Sequence, residues 1–72
     1  MINILKLKGK IVEAGTNISI LSKELNIDRS TFYRKLNEDG TEFTVKEVNI
    51  MIVKLTLSFE DVRDIFFNNK VA

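Results

Sequence analysis

Arg29, Ser30, Tyr33, Arg34 and Asn37 fall at i, i+1, i+4, i+5 and i+8, spacings that gather them on one side of a helix. Phe32 and Leu36 fall on the other side. The outer set has the chemistry of nucleic-acid recognition. An arginine fork donates two hydrogen bonds to guanine O6 and N7 in a major groove, a contact that discriminates bases by roughly 1–3 kcal/mol. A serine serves either a base or a phosphate, and a tyrosine hydrogen-bonds a phosphate or packs on a thymine methyl. Lys35 and Asn37, at the end of this helix, and Asn17, at the start of the one before it, are candidates for holding a phosphate backbone.

Such side chains need elements to position them, and the apolar spacing predicts an all-α chain of five helices. Asn3 caps a first helix over about 4–14 whose inner stripe is Ile4, Leu7 and Ile11, with Leu5 and Val12 as weaker members and Lys6, Lys8 and Lys10 outside; Gly15 stops it. Asn17 caps a short second helix to Leu25, and Asn26 suits the left-handed residue of a tight turn. Asp28 caps the third helix, 29–37, with its charge at the positive end. A polar loop, Glu38-Asp39-Gly40-Thr41-Glu42, follows. Thr44 with Glu47 forms a capping box for a fourth helix, about 45–55, and Ser58 with Asp61 a similar cap for a fifth, about 59–67. Residues 68–72 read as a polar, frayed tail.

Composition narrows the function classes. The chain has 72 residues, room for one domain with a marginal core. Cysteine and histidine are both absent, which removes disulfides, thiolate nucleophiles, the commonest general base and the commonest zinc ligand. Three glycines make no phosphate-cradling loop, and no apolar run approaches the length of a bilayer. The expectation is a protein without catalysis, cofactor, metal or small-molecule substrate, and without a membrane segment. Charge is uneven along the chain: residues 1–36 carry seven Lys/Arg against three acids, or +4, and residues 37–72 carry four against seven, or −3. That polarity can turn one face toward a polyanion.

Residues 18–37 thus read as two short helices about a tight turn, with Leu21, Leu25, Ile27, Phe32 and Leu36 inside and small Ser22 at the crossing, the pattern of a helix-turn-helix. From Leu21 to Phe32, then Lys35-Leu36-Asn37 and Glu42-Phe43-Thr44, the sequence resembles the lambda-repressor-like helix-turn-helix regulators, above all the small Cro-type and modulator-of-repression (antirepressor) proteins of phages of Gram-positive bacteria. The likeness extends from Leu5 to Phe67 and implies a single five-helix domain in a bacterial cytoplasm. It further implies that Arg29, Ser30 and Arg34 face base edges of a double-stranded operator while Asn17, Thr31 and Asn37 face phosphates. The chain departs from the family at Ile18, where a phosphate-contacting glutamine is common, at Ser22 and Asn26, where smaller residues are usual, and in its acidic loop.

Helix four carries two apolar stripes: Val45, Val48, Ile52 and Leu55, and a second of Ile50, Val53 and Leu57 with Met51 between. A domain this small has no room to bury both. Ile50, Met51, Val53, Leu57 and Phe66 are therefore candidates for an intermolecular surface, either between two copies or against a protein partner. Two functions follow: an operator-reading regulator of a lysis–lysogeny switch, or an antirepressor that engages the phage repressor through the helix-turn-helix face or helix four.

Overall fold

Four of the five described helices start where a side chain accepts a backbone N–H. The computed structural model describes residues 2–67, so the tail expected at 68–72 lies outside the described residues. The elements are α1 (Ile4–Glu13), α2 (Ile18–Glu24), α3 (Arg29–Leu36), α4 (Val45–Leu55) and α5 (Phe59–Phe66), and there is no strand among the described residues. Asn3 Oδ1 accepts from the Lys6 N–H at 3.1 Å and Asn17 Oδ1 from that of Ile20 at 2.9 Å. Both expected capping boxes form, Thr44 with Glu47 and Ser58 with Asp61. Asp28 departs from expectation: it holds the extended backbone of an N-cap, but its carboxylate makes no capping hydrogen bond. Its contribution to α3 reduces to charge near the helix's positive end.

The first four helices stop in one way. A left-handed residue sends its N–H to the carbonyl three residues back, and the next N–H reaches five back, which satisfies two of the helix's open carbonyls. The left-handed residues are Gly15, Asn26, Glu38 and Thr56, at φ of 72, 62, 56 and 52°. The paired bonds run to Val12 and Ile11, Lys23 and Ser22, Lys35 and Arg34, and Val53 and Ile52. Gly15 and Asn26 suit that conformation; β-branched Thr56 is strained in it.

The helices close on a core of Leu7, Ile11, Leu21, Leu25, Phe32, Leu36, Met51, Leu55, Leu57 and Ile65. An aromatic ladder extends it, with Phe43 edge-on to Phe32 at 5.2 Å and to Phe66 at 6.2 Å between centroids. Several assignments change. Leu5 and Val12 leave the inner stripe of α1, and Val45, 79% exposed, leaves that of α4. The buried side of α4 is instead Glu47, Met51 and Leu55. Met51 and Leu57 belong to the core rather than to an intermolecular surface: Met51 sits at the centre of α4's inner side, and the stop at Thr56 turns Leu57 inward.

α1 and α5 meet along a polar seam. The Asn3 N–H donates to the Ile65 carbonyl at 2.9 Å. Lys6 pairs with Asp64 at 3.0 Å, and Lys10 with Asp61 at 3.2 Å. Lys6 and Lys10 are thus half-buried bridges rather than solvated outer residues.

Candidate nucleic-acid interface

α2 and α3 pack against one another about the connection at residues 25–28. Leu21 and Leu25 from α2 and Phe32 and Leu36 from α3 enter the same core. Ser22 is buried as well, and its Oγ donates to the Ile18 carbonyl at 2.7 Å, so its hydroxyl is satisfied within α2. Left-handed Asn26 makes the tight reversal, and Ile27 lies half-buried against the core. The outer side of α3 is thereby fixed: Arg29, Ser30, Tyr33, Arg34 and Asn37 are all exposed, and Thr31 is half-buried.

The free charge gathers near this face. Most cations elsewhere have carboxylate partners: Lys6 and Lys10 with Asp61 and Asp64, Lys35 with Glu47, Lys54 with Glu24, and Arg63 with Asp64. Among the described residues, Lys8, Lys23, Arg29, Arg34 and Lys46 have none. Arg29 is nonetheless held. Its Nη1 donates to Ser19 Oγ at 3.1 Å, which anchors the guanidinium across the first turn of α2. Sequence reading missed Ser19, because a pairing ten residues apart across two helices follows no periodic rule. Beside this pair lies an open cleft of about 350 Å³ lined by Lys8, Ile11, Val12, Thr16, Asn17, Ile18, Ser19, Arg29 and Tyr33.

Comparison with family models, curated proteins and solved structures gives no match. The site rests on its own geometry.

That geometry removes Lys35 from the candidate interface. The residue is 8% exposed, and its ammonium donates to both oxygens of Glu47, at 2.7 and 2.8 Å. Glu47 Oε1 also accepts from the Thr44 N–H at 2.9 Å. Burial pushes the Glu47 carboxyl upward, but the Lys35 ammonium and the Thr44 N–H outweigh it and hold it below its ordinary value. Lys35 ties α3 to the start of α4 and has no charge to spare for a phosphate. A signal was present: Phe32, Lys35 and Leu36 at i, i+3 and i+4 form an inward stripe with a lysine in it.

Asn17 is exposed with its oxygen committed to the helix cap, so its Nδ2 protons are free to meet a ligand. Asn37 lies beside the loop bearing Glu38, Asp39 and Glu42, where Glu38 accepts the Ile2 N–H at 2.6 Å. Of the remaining intermolecular candidates, Phe66 is half-buried against Phe43, and the exposed rings are those of Phe59 and Phe67. Ile50 and Val53 lie on a shallow outer face of α4 with Val45, Lys46, Asn49 and Lys54. Val53, 74% exposed, leaves this face partly apolar. No helix among the described residues is long and apolar enough to cross a membrane.

Proposed function

We propose that this chain is a lambda-repressor-like helix-turn-helix regulator that reads double-stranded DNA through α3. The observation that carries the reading is the outward pair Arg29 and Arg34, both without a carboxylate partner among the described residues, on a helix whose opposite side is locked into the core. With α2 as the brace, Arg29, Ser30 and Arg34 take base edges in the major groove, and Asn17, Thr31 and Asn37 take flanking phosphates. A second copy seated on the Ile50–Val53 side of α4 would supply the two-fold repeat, with half-sites about 34–36 Å apart. A small phage-type regulator of a genetic switch is the role that fits this size and site.

The loop favours a second reading. Glu38, Asp39 and Glu42 follow α3 directly, where a DNA backbone would pass, and repulsion there opposes counterion release. In this reading the same arginines and Tyr33 dock on the repressor protein, since Arg and Tyr dominate protein hot spots. Anisotropy titration against the chain's own promoter duplex and a scrambled duplex, across a salt series, separates the two. A preference for the promoter with a steep salt slope supports operator reading. Weak binding without preference, together with repressor binding that Arg34→Ala abolishes, replaces it with antirepression.

A further inference from the structure

Asp39-Gly40 is the one place in the chain where an aspartate or asparagine is followed by glycine. An aspartate so placed has a chemistry of its own. Its side-chain carbon comes within reach of the next backbone nitrogen, and glycine has no side chain to block the approach. Elsewhere the fold closes this route. Ammonium groups hold the Asp61 and Asp64 carboxylates, and the residues that follow, Val62 and Ile65, are branched and lie within α5. Asp28 is followed by Arg29, the first residue of α3. Asp39 has none of these restraints. It lies exposed between α3 and α4, and its carboxylate has no hydrogen-bond or ion-pair partner among the described residues. Gly40 is exposed too, and its N–H makes no hydrogen bond among the described residues. Its φ is 79°, and nothing lies within 4 Å of where a Cβ would stand, so the residue is uncrowded.

We propose that Asp39 is a modification site, converted spontaneously to isoaspartate in the exposed loop between α3 and α4. The Gly40 nitrogen bonds to Cγ of the protonated Asp39 carboxyl, whose hydroxyl leaves with the nitrogen's proton as water, and a cyclic imide closes. Water then adds to one of the two imide carbonyls and breaks that carbon's bond to nitrogen. Addition at Cγ restores aspartate. Addition at the main-chain carbon leaves the chain running through Cβ and Cγ, one methylene longer, with the carboxylate on Cα. No atom is gained or lost overall, and water is the sole co-reactant. The position spares the helices on either side. The bonds that stop α3, from the Glu38 N–H to the Lys35 carbonyl and from the Asp39 N–H to the Arg34 carbonyl, precede the added methylene. The capping box of α4 begins only at Thr44, and Lys35 and Glu47 clamp the two helices together across the loop. The extra length falls on the loop while α3 keeps its place. The site is independent of what α3 binds.

The test holds the full chain for weeks at neutral pH and physiological temperature. Samples are treated with a protein isoaspartyl methyltransferase and labelled S-adenosylmethionine. Trypsin releases residues 36–46 as one peptide, and electron-transfer fragmentation of that peptide separates isoaspartate from aspartate and assigns it to a residue. The same chain unfolded in guanidinium is the reference. Isoaspartate is expected to accumulate at Asp39 in the folded chain, within a few-fold of the unfolded rate, through a species lighter by one water. Asp39→Glu keeps the charge, but its longer side chain closes the ring far more slowly. That variant is expected to lose the label from 36–46 while its circular dichroism matches wild type. A folded chain that forms no isoaspartate at Asp39 overturns the proposal, whatever the unfolded chain does. Label on 36–46 that survives in Asp39→Glu overturns it as well, and the fragmentation of the wild-type peptide decides the site without any variant.

Discussion

The seam between α1 and α5 and the paired helices α2 and α3 use the same residue types to opposite ends. In the seam, Lys6 and Lys10 meet Asp61 and Asp64 at 3.0–3.5 Å, and the charges cancel. On α2 and α3, Lys23, Arg29 and Arg34 have no carboxylate partner among the described residues, and their charge stays available. The +4 of the first half is therefore not one reservoir. Lys6, Lys10 and Lys35, three of its seven cations, are neutralised by acids of the second half. What survives sits on α2, α3 and the Lys8 side of α1. A count of charge along the sequence overstates how much can meet a polyanion, and the folded pairing decides where the remainder lies.

The sharpest way to break this division is at the joint between its parts. Glu47→Ala leaves Lys35 buried without a counter-charge and removes half of α4's capping box, so unfolding in urea should show a loss of about 3 kcal/mol. Glu47→Gln, which keeps an acceptor for Thr44, should lose less. Equal losses would mean that the buried ion pair accounts for the whole effect, whereas a Glu47→Gln variant as stable as wild type would mean that capping does.

Arg34→Ala probes the other side of the comparison. Operator affinity should fall by roughly 1–3 kcal/mol with preference relaxed at one base pair, while the melting temperature stays at the wild-type value. A matching loss of stability would show the residue to be structural. Thr56→Gly is the converse control, at the stop of α4 and outside all four of those helices. Removing the β-branched side chain from a φ of 52° should raise stability by about 1 kcal/mol and leave DNA affinity untouched.

Acid should act on the ion-paired carboxylates, those of the seam and Glu47. The Ser58 backbone N–H, with Lys10, holds the Asp61 carboxyl down at about 2, and the Lys6 ammonium holds that of Asp64 below its ordinary value. Glu47 is lowered too. These groups bind protons less readily folded than unfolded, so their stabilisation is complete above their ordinary values, 3.8 for Asp and 4.5 for Glu, and is lost as pH falls toward about 2. Thermal melts between pH 7 and 2 should be flat at first and then fall, and DNA affinity should fail only where the fold does. The smallest effect is expected from Lys6→Gln, since an ion pair still in reach of solvent contributes little and is screened by salt. Its melting temperature should drop slightly at low salt and match wild type at high salt.

Much of the fold was legible in local chemistry. Asn3, Asn17, Thr44 and Ser58 cap the helices expected of them, and Gly15 and Asn26 stop two more ends. Arg29, Ser30, Tyr33, Arg34 and Asn37 lie exposed as their spacing requires. What was not legible depends on partners remote in sequence. Lys35 and Glu47 each lie on the inner side of their own helix, and each charge taken alone reads as surface. Together they are a pair, and two helices that each turn an opposite charge inward announce a contact between them. α4 was misread for the same reason: with Glu47 counted as polar surface, its inner stripe seemed to run through Val45 and not through Met51. Glu38 and Thr56 carry no residue-type signal for the left-handed backbone they adopt.

The bond from the Asn3 N–H to the Ile65 carbonyl has a consequence for how the chain acquires its structure. It joins the first helix to the last, so α1 finds its polar partner only after every intervening helix has been synthesised. α2 and α3, by contrast, meet through neighbours in sequence and can associate early, since local contacts close before distant ones. On the ribosome α2 and α3 can therefore associate first, before α1 has met α5. Arrival of α5 is the closing step, since Ile65 completes the core, and until then the nascent chain exposes apolar surface that the finished fold buries.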